Sequence, residues 1–121
     1  MMQAAISPTR AAGDEGEDRA ARFLERHGLA IAARNFRTRM GEIDLVAWDG
    51  EELVFVEVRS RASARFLDPA ESVDWHKQRR IIAAARQYLA LTRLEARCRF
   101  DVVALEGDTP TWLKSAFSLS R

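Results

Sequence analysis

The fold of this chain is decided by Met40–Arg61, a stretch that reads M-G-E-I-D-L-V-A-W-D-G-E-E-L-V-F-V-E-V-R-S-R. Two apolar segments flank Asp49-Gly50, a dipeptide that tolerates the positive φ angles of a type I′ turn. The pattern therefore predicts a β-hairpin whose strands cover about Gly41–Trp48 and Leu53–Arg59.

Three carboxylates interrupt these apolar strands, namely Glu42, Asp44 and Glu57. Asp and Glu are depleted in strands, so their presence here calls for a reason. A two-residue turn would set Trp48 opposite Glu51, and hence Glu42 opposite Glu57 and Asp44 diagonal to Glu57. Because side chains alternate between the two faces of a strand, all three carboxylates are then predicted to share one face.

Clustered carboxylates repel one another unless a cation or protons compensate their charge. Oxygen ligands of this kind suit Mg²⁺ or Mn²⁺, with water completing the coordination. The prediction depends on the register of the hairpin, because a slip of one residue would move Glu57 to the opposite face.

The rest of the chain predicts an α/β domain with the order α-β-β-β-α-β, in which the last strand runs parallel beside the second hairpin strand. Thr111–Phe117 is predicted as a short edge strand or a turn, and residues 1–12 as a disordered tail before a single domain, 13–121. The remaining predicted elements are a helix over Asp14–His27, a strand over Leu29–Phe36, a helix over Asp74–Thr92 and a strand over Cys98–Leu105.

Glu17 lies on the apolar stripe of the first helix, together with Ala20, Ala21 and Leu24. A carboxylate on the core side of a helix is unusual. It can be a ligand in a site, or a first-turn residue whose head group reaches solvent or unpaired backbone N–H groups.

The composition, with 47% apolar and 31% charged residues in 121, is that of an ordinary globular domain. Seventeen arginines against two lysines reflect either the codon usage of a GC-rich genome or phosphate binding. A single cysteine excludes an internal disulfide and a cysteine-based zinc site. No apolar run reaches the roughly twenty residues of a membrane span, and no signal-peptide core is seen, so a cytoplasmic protein with no membrane partner is expected.

Five motifs follow one another along the chain. They are Gly16-Glu17, Gly41-Glu42-Ile43-Asp44-Leu45, Phe55-Val56-Glu57-Val58-Arg59, Lys77-Gln78 and Arg99-Phe100-Asp101-Val102-Val103. Taken in this order, they resemble the bacterial YraN family, which is similar to Holliday-junction-resolvase-like members of the restriction-endonuclease-like, or PD-(D/E)xK, superfamily. The resemblance covers about residues 13–117.

The resemblance implies that Asp44 and Glu57 bind a divalent metal, with Glu17 assisting and the carbonyl of Val58 as a further ligand. Arg59 stands where the superfamily has a lysine. An arginine can neutralise charge on a phosphate but cannot act as a base, since its pKa exceeds 12.

Supporting roles near the metal ligands are implied for Glu42, Lys77 and Gln78. Lys77 can supply the ammonium group that Arg59 replaces, or can be an ordinary solvated lysine near a helix start. Glu42 is a structural or supporting carboxylate, or a direct ligand of the metal.

The function that this implies is metal-dependent hydrolysis of DNA phosphodiester bonds, in branched DNA or in intermediates of recombination and repair. One alternative is a nucleic-acid-binding module of the same fold without cleavage activity, because Arg59 replaces lysine. A third is a purely structural domain in which the carboxylates pair with arginines. A homodimer would suit a resolvase-like role, and the arginines expected to contact the nucleic acid backbone are Arg34, Arg37, Arg39, Arg61, Arg65, Arg79 and Arg80.

Overall fold

A computed structural model describes residues 12–60 and 73–118 of the chain, and the side chains of 15–59, 73–105 and 107–118. The predicted tail, apart from residue 12, and the two arginines Arg61 and Arg65 lie outside the described residues. Seven elements follow one another: helix α1 (Ala12–Arg26), strands β1 (Ala30–Arg37), β2 (Glu42–Asp49) and β3 (Glu52–Ser60), helix α2 (Trp75–Thr92), and strands β4 (Arg97–Glu106) and β5 (Thr109–Phe117).

The five strands form one mixed sheet in the order β1-β2-β3-β4-β5. Only β3 and β4 are parallel; the other neighbours are antiparallel. The predicted α/β fold and the parallel placement of β4 beside β3 are thus confirmed. The difference lies at the end, where a full nine-residue strand pairs with β4, so the order becomes α-β-β-β-α-β-β.

The two helices cover opposite faces of the sheet, and each face has its own core. Helix α1 packs Ala20, Ala21 and Leu24 against Val54 and Val56 of β3. Helix α2 packs its buried face against the opposite side of β3, where Leu53 and Phe55 point. Alternate residues of β3 therefore enter different cores, as a central strand covered on both faces requires.

The hairpin register differs from the prediction. Asp49 pairs with Glu52 and Trp48 with Leu53, so the two-residue turn is formed by Gly50 and Glu51. Gly50 has a φ of 64°, whereas Asp49 is not among the residues with positive φ. A positive φ at the first central position alone is the geometry of a type II′ turn, which glycine favours there. The shift of two residues preserves the side-chain alternation over the paired residues, Leu45–Asp49 with Glu52–Val56. The carboxylates lie outside this paired region, so their common face stays a prediction.

The alternation breaks where β1 and β2 approach the Thr38–Gly41 turn. Ile43 belongs to the core under α2, although Leu45, two residues later, belongs to the core under α1. Asn35 in the neighbouring strand has a φ of 55°. The pairing of β2 with β3 ends at Leu45, which lies opposite Val56. Asp44 therefore lies where β2 leaves its regular ladder with β3.

Neither helix in the described ranges is long and apolar enough to cross a membrane.

Candidate active site

Asp44 is held at the end of the β2–β3 ladder by the backbone of the next strand. Its Oδ2 atom accepts a hydrogen bond of 2.8 Å from the backbone N–H of Val58. Burial raises the pKa of Asp44 well above its usual range, and the charge of Glu57 raises it further. The Val58 hydrogen bond opposes this rise, while the charges of Glu17 and Glu42 add to it. Asp44 is therefore harder to ionise in the folded protein than in the unfolded chain.

Glu57 is buried, with 5% of its side chain exposed, and two cations approach the same carboxylate oxygen. Arg59 Nη1 lies 3.2 Å from Glu57 Oε2, and Lys77 Nζ lies 3.4 Å from it. The sequence identified both cations, but nothing in it showed that they would meet on one oxygen. Lys77 reaches Glu57 from the first turn of α2, so this ion pair links the helix to β3.

Arg59 has a second hydrogen-bond donor, its Nε–H group, beside this ion pair. Its Nε atom is buried and has no hydrogen-bond partner within residues 12–60 and 73–118. Buried donors are nearly always paired in folded proteins, so each exception needs an explanation. An acceptor brought by a ligand is one such explanation, and a phosphate oxygen is the acceptor that guanidinium groups fit best.

Glu17 is buried on α1 among the apolar residues of its stripe, as the helix pattern predicts. Its charge raises the pKa of Asp44, although less than burial and the charge of Glu57 do. Glu42 is exposed and lies 3.5 Å from Arg37 Nε, measured from its Oε1 atom. Of these two, Glu17 is the carboxylate that the fold encloses.

In the described part of the chain, the acidic residues do not form a complete set of metal ligands. Among the side chains described, no group of three or more His, Cys, Asp or Glu is arranged to hold a metal ion. The joint ligation of a metal by Asp44, Glu57, Glu17 and the Val58 carbonyl therefore stays a prediction. Gln78 has a structural contact, because its Nε2 atom donates to the carbonyl of Val73 at 2.9 Å.

The predicted nucleic-acid-binding arginines have different surroundings. Arg34 is engaged by Asp18 of α1, with 2.6 Å between Nη2 and Oδ1. Arg79 lies over the ring of Trp75, 4.8 Å from its centroid. Three others lie near the turn between β1 and β2 or on the adjacent turn of α2, and all three are exposed: Arg37, Arg39 and Arg80.

A second charged cluster, which the sequence reasoning missed, surrounds Asp101 in β4. The Asp101 side chain is fully buried and accepts hydrogen bonds from Arg99 Nε, Trp112 Nε1 and the backbone N–H of Ser115, at 3.0, 2.9 and 2.9 Å. These bonds tie β4 to β5 where their register shifts. The available signal was an aspartate inside the otherwise apolar run Phe100–Leu105.

Arg99 extends this cluster to the hairpin, since it also lies 3.0 Å from Glu52 and 2.9 Å from Asp49. Burial alone would lower the pKa of Arg99, but its hydrogen bonds with Asp101 and Glu52 and its ion pair with Asp49 raise it above its usual range. The cluster lies at the start of β3, whereas Glu57 lies near the end of that strand. It therefore stabilises the end of the sheet away from Asp44.

Comparison with known proteins identifies the relatives of the chain. The model of a family described as "Uncharacterised protein family UPF0102" matches residues 16–105, which include every candidate site residue and exclude β5. A UPF0102 protein of Dechloromonas aromatica (strain RCB) is 50% identical over 118 residues, which cover 98% of each chain. A UPF0102 protein of Burkholderia vietnamiensis is 54% identical over 111 residues, covering 90% of this chain and 78% of the relative. The chain belongs to the UPF0102 family, which is the YraN family that its motifs resemble.

Proposed function

We propose that this protein is a Mg²⁺- or Mn²⁺-dependent endonuclease that hydrolyses phosphodiester bonds of DNA. The observation that carries the proposal is the placement of Asp44 beside Glu57. Asp44 accepts a hydrogen bond from the backbone N–H of Val58, the residue that follows the buried Glu57. Burial and the charges of Glu57, Glu17 and Glu42 raise the pKa of Asp44. Such a set of acidic groups costs free energy in the absence of a cation and gains from binding one.

The residues present fit a divalent ion held mainly by two carboxylates. Asp44 uses Oδ2 for the Val58 hydrogen bond, so Oδ1 is the oxygen that would bind the ion. Glu57 would offer Oε1, because both cations lie on its Oε2 side. Glu17 is the third carboxylate within electrostatic range. Bound there, the ion would polarise the phosphate and lower the pKa of a water molecule that attacks it.

Arg59 is proposed to stabilise the negative charge that develops on the phosphate in the transition state. Its Nη1 atom is fixed by Glu57, and its buried Nε–H is the donor that a phosphate oxygen would satisfy. A guanidinium group fits this role because it donates two parallel hydrogen bonds. Lys77 would hold Glu57 in position from α2.

The second candidate is a module that binds DNA without cleaving it. The arrangement on Glu57 favours this alternative, because Arg59 and Lys77 supply the positive charge that a metal would otherwise bring. Arginine in place of the superfamily's lysine points the same way. In that case binding would weaken with added salt, and no cleavage would occur in either metal.

The experiment that separates the two is incubation with branched, single-stranded and duplex DNA in Mg²⁺ and in Mn²⁺. The endonuclease assignment predicts cleavage of at least one substrate by the wild type and its loss in Asp44→Ala and Glu57→Ala. Binding without cleavage would select the second candidate. Cleavage that survives both substitutions would remove the catalytic assignment of these carboxylates.

A further inference from the structure

A cavity of about 200 Å³ lies between the β1–β2 turn and the first turns of α2. Lys77, which contacts Glu57, is part of its lining. It has room for a phosphate group with several waters, since one water takes up roughly 30 Å³. Its polar lining comes from both elements and consists of Arg37, Thr38, Gly41, Glu42, Lys77 and Arg80.

The charge of this lining is positive, with three cations against one carboxylate. Arg37 is paired with Glu42 at 3.5 Å, and Lys77 with Glu57 at 3.4 Å. Arg80 has no ion pair with any other side chain that the structure describes. The lining thus retains a cation that a bound anion could engage without breaking an ion pair.

The placement of these cations opposes the stability of α2, which suggests that they serve a ligand. The positive end of a helix dipole disfavours cations nearby, yet Lys77 and Arg80 lie in the first two turns, which contain no acidic residue after the Asp74 cap. The last turn has no basic residue to compensate the negative end.

The other wall of the cavity is a turn whose geometry is fixed by its own hydrogen bonds. Thr38 Oγ1 accepts from the backbone N–H groups of Met40 and Gly41, at 3.0 Å each, and donates to the Gly41 carbonyl at 2.9 Å. Gly41 packs so closely on the carbonyl of Arg80 that a Cβ atom would overlap it. The turn and α2 therefore hold Arg37 and Arg80 at a fixed separation.

We propose that this cavity binds a backbone phosphate of the nucleic acid that neighbours the phosphate at Asp44 and Glu57. The inference deepens the proposed function and depends on it for the identity of the ligand. Lys77 connects the two places, because it lines the cavity and contacts Glu57. The cavity would then set which stretch of the strand lies beside the carboxylates, through charge rather than base sequence.

Titration with inorganic phosphate in EDTA, followed by amide NMR shifts of the Thr38–Glu42 turn, tests the cavity without metal or cleavage. The wild type should bind saturably, Arg80→Gln roughly twofold to fivefold more weakly, and Glu42→Gln more tightly. Arg97→Gln is the matched control, because it removes the same charge from an exposed position at the far end of the sheet. It should change the affinity less than Arg80→Gln does.

A second arm uses duplex DNA in EDTA to distinguish a backbone phosphate from a free one. Arg80→Gln should lower the slope of log affinity against log salt by about one unit, whereas Arg97→Gln should leave it unchanged. The proposal is overturned if phosphate shifts no amide saturably, if both arginine variants act equally, or if the slope is unaffected by Arg80→Gln. Loss of cleavage alone would not argue against the phosphate site, because neither of the two experiments measures cleavage.

Discussion

The backbone N–H of Val58 donates a hydrogen bond of 2.8 Å to Oδ2 of Asp44, across the point where β2 leaves its ladder with β3. The Asp44 side chain thus accepts the hydrogen bond that a backbone carbonyl of β2 would accept if the ladder continued. Because Val58 follows Glu57 directly, the same short segment of β3 positions both carboxylates. Their separation is therefore set by one strand rather than by two independent loops.

The raised pKa of Asp44 predicts that Asp44→Asn stabilises the metal-free protein at neutral pH. The folded state binds the proton of Asp44 more tightly than the unfolded chain does, so ionisation as the pH rises above the ordinary value of 3.8 lowers stability. Asparagine retains an acceptor for Val58 and removes the charge. We expect a gain of about 1–3 kcal/mol in the free energy of unfolding at pH 7, because each unit by which folding raises a pKa corresponds to roughly 1.4 kcal/mol.

Urea unfolding in EDTA measures this gain, which should shrink as the pH falls towards 3.8, where the wild type is protonated as well. Asp44→Ala is the comparison, because it removes both the charge and the acceptor and should gain less. Equal stability of the wild type and Asp44→Asn at every pH would contradict the assignment of uncompensated charge to this site.

Arg59 is predicted to act on the transition state rather than on binding. Arg59→Met should lower the rate of cleavage by roughly 10²–10³-fold, as expected for loss of one group that stabilises developing charge. Arg59→Lys should retain only part of the rate, because a positive charge remains but the two parallel hydrogen bonds of the guanidinium group are lost. Single-turnover cleavage measures the rate, and DNA affinity in EDTA supplies the control. An equal loss of rate in both variants would show that the guanidinium geometry, not its charge, is required.

Asp101 is predicted to be the most costly polar residue to remove. Asp101→Ala would leave the donors of Arg99, Trp112 and Ser115 unpaired in a buried place. Breaking a buried ion pair by removing one partner costs about 3–5 kcal/mol, and we expect that loss in urea unfolding. Glu52→Gln is the milder control, since it removes one partly exposed contact of Arg99. A loss below that of Glu52→Gln would rule out the proposed role in joining β4 to β5.

Gly41→Ala is predicted to destabilise the protein, because its Cβ atom would overlap the Arg80 carbonyl, which is backbone and cannot rotate away. Overpacking of this kind costs about 1–3 kcal/mol. Gly16→Ala provides the contrast, since its Cβ atom would lie 3.2 Å from the flexible end of Leu105 and alanine favours the helix. Thermal unfolding of the two variants should therefore give clearly different midpoints. Similar midpoints would mean that α2 shifts freely against the turn.

The architecture could be predicted largely from periodicity. The apolar stripe of α1 and the alternation of the paired part of the hairpin, from Leu45 to Val56, are local patterns, and both are present in the fold. The hairpin register could not be predicted in detail, because Asp49-Gly50 and Gly50-Glu51 both supply a glycine with positive φ. The choice depends on Asp49, which stays in the strand and contacts Arg99.

The site was predictable in part. The carboxylates in the strands and the one on the helix stripe stand out in the sequence because their neighbours are apolar. The convergence of Arg59 and Lys77 on one oxygen of Glu57 could not be read from the sequence, because it depends on how α2 crosses the sheet. The Asp101 cluster was missed because its donors come from three separate places in the chain.

The most direct test of the account is a calorimetric titration with Mn²⁺ of the wild type, Asp44→Asn, Glu57→Gln and the control Asp49→Asn. Asp49 belongs to the Arg99 cluster at the other end of the sheet, so its charge is removed far from the proposed ion. A metal site formed by Asp44 and Glu57 predicts saturable binding by the wild type and Asp49→Asn, with binding lost in the other two variants. Binding that persists unchanged in Asp44→Asn and Glu57→Gln, or no saturable binding by the wild type, would contradict it.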